Sequence, residues 1–110
     1  MNHNAAHTAL INAILKALGC REDCVVWRQE RGRYRTMDGM RVVDIGVDGY
    51  ADICVALRGG GMIQGEAKTG KGKLNKLQKN WKARMEALGV PCFVWRSVGE
   101  AVADVDRATG

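Results

Sequence analysis

From residue 4 to residue 18, apolar residues recur at helical spacing. Ala6, Leu10, Ile14 and Leu18 share one face, with Ala9, Ala13 and Ala17 beside them. Gly19 follows as a stop. The pattern then changes. Cys24–Glu30, CVVWRQE, is β-branched and aromatic and reads as a strand. Residues 31–41 hold Arg31, Arg33, Arg35 and Arg41 with two glycines, an exposed basic loop or a loose hairpin. Ala51–Leu57, ADICVAL, is an apolar run of strand length; RGGG turns the chain and MIQGEAK returns as a second strand. From Asn75 to Leu88 the apolar positions Leu77, Trp81, Met85 and Leu88 predict a helix, with Leu77 in the core, Gly89 ending it and Pro91 just beyond. VPCFVWR reads as a buried strand, and SVGE, Ser97–Glu100, as a capping box opening a helix over Ala101–Arg107.

The order α, β, loop, β, β, α, β, α predicts an α/β fold, a small mixed sheet flanked by helices. Its 110 residues make one domain, 1–110, without a repeat or linker. A hydrophobic share of 46% supports a core, and 26% charged residues is an ordinary globular balance that excludes disorder. No apolar run reaches the roughly 18 residues of a membrane helix. The opening MNHNAAHTAL has no basic start or signal-type apolar stretch, so no export is expected. Cys20 and Cys24 form an unsupported Cys-x-x-x-Cys, weak as a zinc signal, while Cys54 and Cys92 sit in apolar runs. Four reduced thiols in a cytoplasmic protein are expected.

Charge changes the picture more. Seventeen Lys and Arg against twelve Asp and Glu give a net charge of +5. Between Ala67 and Met85 lie Lys68, Lys71, Lys73, Lys76, Lys79, Lys82 and Arg84, and no acid. Such a stripe either solvates a helix or binds phosphates.

GEAKTGKGK, Gly65–Lys73, starts that stripe and fits two frames. As Gly-x-x-x-x-Gly-Lys it approaches a P-loop, but the hydroxyl residue that would hold magnesium is replaced by Gly72, and Glu66 falls where the triphosphate would sit. Too few residues follow for the remaining βα units. The P-loop frame fails.

As Glu66-Ala67-Lys68 it fits a metal-dependent site. Residues two apart in a strand share a face, so Glu66 and Lys68 point the same way. The hairpin sets Asp52 beside them. Two carboxylates from adjacent strands can chelate one hard divalent cation, with the Ala67 carbonyl as a third oxygen and Lys68 near a bound water. Asp44 and Asp48 compete with Asp52 for this role, but Asp52 directly precedes the apolar strand. Trp27, Trp81 and Trp95 are expected in the core or at an interface, in preference to base stacking.

Taken in order, GYAD, GEAKTGKGKLNKLQKNW and LGVPCFVWRS resemble the VRR-NUC domain (virus-type replication-repair nuclease), a branch of the PD-(D/E)XK phosphodiesterases, over about residues 49–100. The length is similar to that of the stand-alone phage and bacterial members. The resemblance implies a restriction-endonuclease-like αβββαβ core. It implies that Asp52 and Glu66 bind Mg2+ or Mn2+, that Ala67 adds a carbonyl, that Lys68 positions or activates the water, and that Gln78 reaches the site from the helix. The substrate class implied is DNA, branched or structured, cut by a homodimer. Lys71, Lys73, Lys76 and Lys79 are the expected phosphate contacts. Two positions depart from the family pattern. Ala51 stands where a proline often precedes the Asp, and the first helix offers His3 or His7 where many relatives carry a Glu. His7 is therefore an accessory candidate, as water-mediated ligand or proton acceptor. The alternative is a non-catalytic nucleic-acid-binding module using the lysine stripe alone. An acid–base enzyme on a small substrate fits less well, with only one His-bearing segment.

Overall fold

Helix α1 spans His3–Gly19 in the computed structural model, which describes residues 3–110, with side chains from Ala5 onward. The His3 side chain lies outside the described ones. The inward stripe of α1 is Ile11, Ile14 and Leu18, all fully buried, with Leu10 and Leu15 at its margins. The expected face is therefore rotated. Ala9 and Ala13 are exposed, because burying an isoleucine removes far more apolar area from water than burying an alanine. One turn before Ile11, the same stripe carries His7.

Strand β1, Cys24–Arg28, opens the main sheet and ends two residues earlier than its sequence run. The basic segment resolves as a hairpin of β2, Gly32–Arg35, and β3, Val42–Ile45, paired only with each other. Strands β4, Ile53–Leu57, and β5, Met62–Ala67, form the second hairpin. Its turn needs Gly59 and Gly60, with φ of 93° and 97°, where other residues are strained. Helix α2, Lys76–Ala87, crosses to β6, Cys92–Trp95, and α3, Val98–Thr109, closes the chain. The sheet order is β1-β4-β5-β6. The first two pairings are antiparallel, and β5/β6 is parallel, as the helical crossover requires. The chain is thus a mixed α/β fold of three helices, a four-stranded mixed sheet and a two-stranded sheet. No helix among the described residues is long and apolar enough to cross a membrane.

The two faces of the sheet are packed differently. Ile53, Val55, Ile63, Ala67 and Trp95 meet Ile11, Ile14, Leu18, Ala101 and Val105 of α1 and α3 in one apolar core. On the other face lie Cys54, Gln64, Glu66 and Cys92 under α2. Helix α2 buries no residue fully. Leu77 is 52% exposed and Leu88 is exposed as well, so the expected core position at Leu77 is corrected. The inward stripe is instead Gln78, Trp81, Lys82 and Met85, and it docks through polar bonds. Trp81 Nε1 donates to Gln64 Oε1 at 2.8 Å, Gln78 Nε2 donates to Glu66 Oε1 at 3.0 Å, and Lys82 Nζ donates to the Cys92 carbonyl. A sheet face carrying Gln64 and Glu66 cannot be covered by leucines without leaving buried polar atoms unpaired, which is why the apolar spacing misplaced this helix.

Ser97 caps α3 by accepting from Glu100 N at 3.2 Å. Glu100 reaches back to Arg96 N at 3.0 Å, one residue earlier than a capping box predicts. All four cysteines are free thiols, Cys54 and Cys92 buried, as expected.

Candidate active site

Asp52 and Glu66 stand where β4 and β5 part. The last paired residues are Ile53 and Gly65, so Asp52 and Glu66 are the next opposite pair, on one face of the sheet. There the β4 backbone has swung away to bond β1, with Gln29 N donating to the Asp52 carbonyl at 2.7 Å. Its place beside β5 is taken by the Asp52 side chain, whose Oδ2 accepts from Ala67 N at 2.9 Å. N–H and C=O of one strand residue leave on the same side, so the Ala67 carbonyl also points toward Asp52. Asp52, Glu66 and the Ala67 carbonyl therefore gather at one fork of the sheet.

Two side chains fix this fork. Gln78 occupies the third position of α2, and its amide is held at both ends. Its Oε1 accepts from Asn75 N at 2.9 Å in a reciprocal cap, and its Nε2 donates to Glu66. The sequence left Gln78 to the family resemblance; the Asn75-x-x-Gln78 cap is the signal that would have oriented it. His7 Nε2 lies 3.2 Å from Asp52 Oδ2, presented by the same stripe that plants Ile11, Ile14 and Leu18 in the core. Lys68 is half-buried on the Glu66 side of β5. Gly49 brings the strand start against α2. Its φ is +82°, and a Cβ there would lie 2.4 Å from the Leu77 carbonyl oxygen. That close approach gives Gly49-x-x-Asp52 a physical meaning.

Electrostatically the pair is unbalanced. Glu66 is only 7% exposed, and burial, with the Asp52 carboxylate beside it, holds its carboxyl well above the usual range while Lys68 opposes the shift. A cation placed between the two carboxyls would offset the burial and repulsion that hold Glu66 up. Among the described residues no three His, Cys, Asp or Glu side chains form a ready cage. An ion here would rest on two carboxylates, a backbone carbonyl and waters, a set that suits magnesium or manganese, hard cations that keep part of their water shell.

The remaining candidates separate. Lys71, Lys73, Lys76 and Lys79 are all exposed along the β5–α2 loop and the first turns of α2, beside the fork. Asp44 and Asp48 are removed from it, paired with Arg33 at 2.9 Å and Arg31 at 2.8 Å on the hairpin. Trp95 is core, Trp81 docks α2, and Trp27 is partly exposed on the sheet. A cleft of about 340 Å³ opens above the carboxylates between the hairpin and α2, lined by Arg28, Arg31, Tyr34, Tyr50, Asn75 and Gln78 among others. The sequence pointed to none of its arginines or tyrosines as site residues, because they come from β1, the β2–β3 hairpin and the segment before β4 and meet only in the folded chain.

No family model and no curated protein matches this chain.

Proposed function

We propose that the protein is a divalent-metal-dependent DNA endonuclease built on a restriction-endonuclease-like core, with Mg2+ or Mn2+ held by Asp52, Glu66 and the Ala67 carbonyl. The observation that supports it most is the fork itself: two opposed carboxyls from neighbouring strands, one buried, each fixed by a side chain from a different helix. When bound, the cation supplies an acidified water and charge neutralisation at a phosphate. The side chains divide the remaining work. Gln78 holds the Glu66 carboxylate in register, Ala67 N–H and His7 hold that of Asp52, and the Lys68 ammonium faces the attacking water and the phosphate oxygens. Cleavage of linear, flapped and four-way DNA, with magnesium, manganese or EDTA, tests the reading. Metal-dependent cutting, strongest on branched DNA, is expected; no cutting of any substrate overturns it.

The cytoplasm and a homodimeric assembly belong to the same proposal. The hairpin leaves Met37, Met40, Val42 and Val47 exposed, an apolar surface that a second copy would cover.

A binding-only module keeps one supporting observation, the four exposed lysines beside α2. Neutralising Lys71, Lys73 and Lys76 together is expected to weaken DNA binding across sequences. It should also flatten the log-affinity against log-salt slope by about 0.9 per lost duplex contact. An unchanged slope shows that these lysines only solvate the helix. Binding-only behaviour is separated from catalysis by Lys68→Ala, expected to lose cleavage with metal affinity largely kept.

A further inference from the structure

We propose that the cleft between the β2–β3 hairpin and α2 is a subsite for one unpaired nucleotide, with Tyr34 stacking on its base and Arg28 binding the phosphate next to the one that is cut. The inference rests on the nuclease reading for the position of the cut phosphate, and on the cleft for everything else.

The cleft volume, about 340 Å³, lies at the low end of the roughly 300–1,000 Å³ range of small-ligand sites. It has room for one nucleotide. Its hairpin wall is aromatic. The Tyr34 ring lies over Gly32, where a Cβ would come within 2.6 Å of it, and Tyr34 lines the cleft while 48% exposed. Tyr50 is seated in the same manner over Gly46, where a Cβ would be 2.6 Å from the phenol oxygen, and it meets Trp81 edge-on at 5.9 Å. Tyr50 is thus braced between the hairpin root and α2, and Tyr34 presents the free face. Aromatic faces accept any base, which suits a site without sequence preference.

Cations complete the subsite. Arg31 is engaged by Asp48 and by the Gly32 and Ile45 carbonyls, so it stiffens the wall. Arg28 lines the cleft, and its side chain makes no hydrogen bond or ion pair among the described residues. Glu30, Asp52 and Glu66 also line the cleft, so a phosphate there needs a cation, and Arg28 supplies it. A strand entering here runs from the lysines of α2 over the carboxylates to the hairpin, with its unpaired end under Tyr34. That geometry selects a single-stranded or frayed segment beside the cut, as at a branch.

The test uses the full chain in EDTA and a short single-stranded DNA carrying 2-aminopurine, whose fluorescence is quenched by stacking. Wild type is expected to bind and quench. Tyr34→Ala is expected to lose the quench and about tenfold in affinity, and Tyr34→Phe to retain both. Arg28→Gln is expected to lower the salt slope by about 0.7, the single-strand value for one contact. Circular dichroism verifies that each variant folds. Wild-type quench and affinity in Tyr34→Ala, or equal binding of a fully paired duplex, overturns the subsite. So does a change of sedimentation in Tyr34→Ala, which would assign the ring to an interface between two copies. The two readings fail separately. Metal-dependent cleavage with an indifferent Tyr34 sinks the subsite alone, whereas Tyr34-dependent quenching without cleavage of any DNA sinks the nuclease and retains the stacking site.

Discussion

Glu66→Gln is expected to abolish metal-dependent cleavage and, in EDTA at pH 8, to raise the melting temperature by about 4 °C or more. The two effects share one cause. In the metal-free protein, burial and the opposed Asp52 raise the Glu66 carboxyl above its ordinary value of 4.5. A raised carboxyl pKa means that the folded state binds more protons than the unfolded state at neutral pH, so stability falls as pH rises. The stability is fully present below about 4.5 and is lost as pH climbs toward the folded value. An amide at this position does not titrate. It still accepts from Gln78 and can donate toward Asp52, so the fork keeps its shape without the charge conflict. One kcal/mol shifts the melting temperature of a small domain by roughly 4–8 °C, and the relieved conflict is at least of that size. The gain should shrink as pH falls and vanish only below about 4, beneath the ordinary carboxyl value of 4.5. Magnesium or manganese should stabilise wild type by mass action and leave the variant unmoved. Asp52→Asn should lose cleavage as well. DNA affinity in EDTA should hold in Glu66→Gln, whose raised carboxyl is already protonated there, and hold or rise in Asp52→Asn, which takes negative charge from beside the phosphate. A Glu66→Gln protein that cuts DNA at the wild-type rate sinks the metal reading. One that melts below wild type at pH 8 sinks the account of the fork.

That fork was legible in the sequence because strand parity is simple. Glu66 and Lys68 share a face through a period of two, and the RGGG turn sets Asp52 next to Glu66. Parity failed to show what holds the carboxyls. His7 enters from the far end of the chain, on a helix whose inward face the alanines blurred. Gln78 points inward because a polar sheet face, Gln64 and Glu66, selects it over Leu77, and that selection is a tertiary effect. The hairpin was half legible. Four arginines around two glycines suggested an exposed segment, but the β3 partner, Val42–Ile45, carries no clear alternation, since all four of its residues are exposed. The aromatic wall above the carboxyls stayed hidden with it.

Gly65→Ala is expected to destabilise the protein by about 2 kcal/mol or more, out of proportion to the single methyl group it adds. Gly65 is in ordinary extended strand and is absent from the positive-φ glycines, so the backbone tolerates alanine. Space does not. A Cβ there would lie 2.1 Å from Trp95 Cε3, because the indole crosses from β6 and lies flat on the glycine. The ring has nowhere to go. It is fully buried, its Nε1 donates to Asp104 at 2.9 Å, and Phe93 stacks beside it at 6.3 Å. Relief must come from β5 itself, which carries Glu66 at the next residue, so metal affinity should fall along with stability. At roughly 4–8 °C per kcal/mol, a drop in melting temperature near 10 °C follows. A four-variant cycle isolates the cause. Trp95→Leu alone opens a cavity and destabilises, since large-to-small changes in a core do so by several kcal/mol. Combined with Gly65→Ala, the shorter side chain leaves room for the methyl, and the double variant should be more stable than the two single losses predict, by roughly 1 kcal/mol or more of coupling. Denaturant midpoints of the four proteins measure it. Strict additivity would show that the indole yields freely, and that the glycine of GEAK is there for some reason other than the tryptophan lying across it.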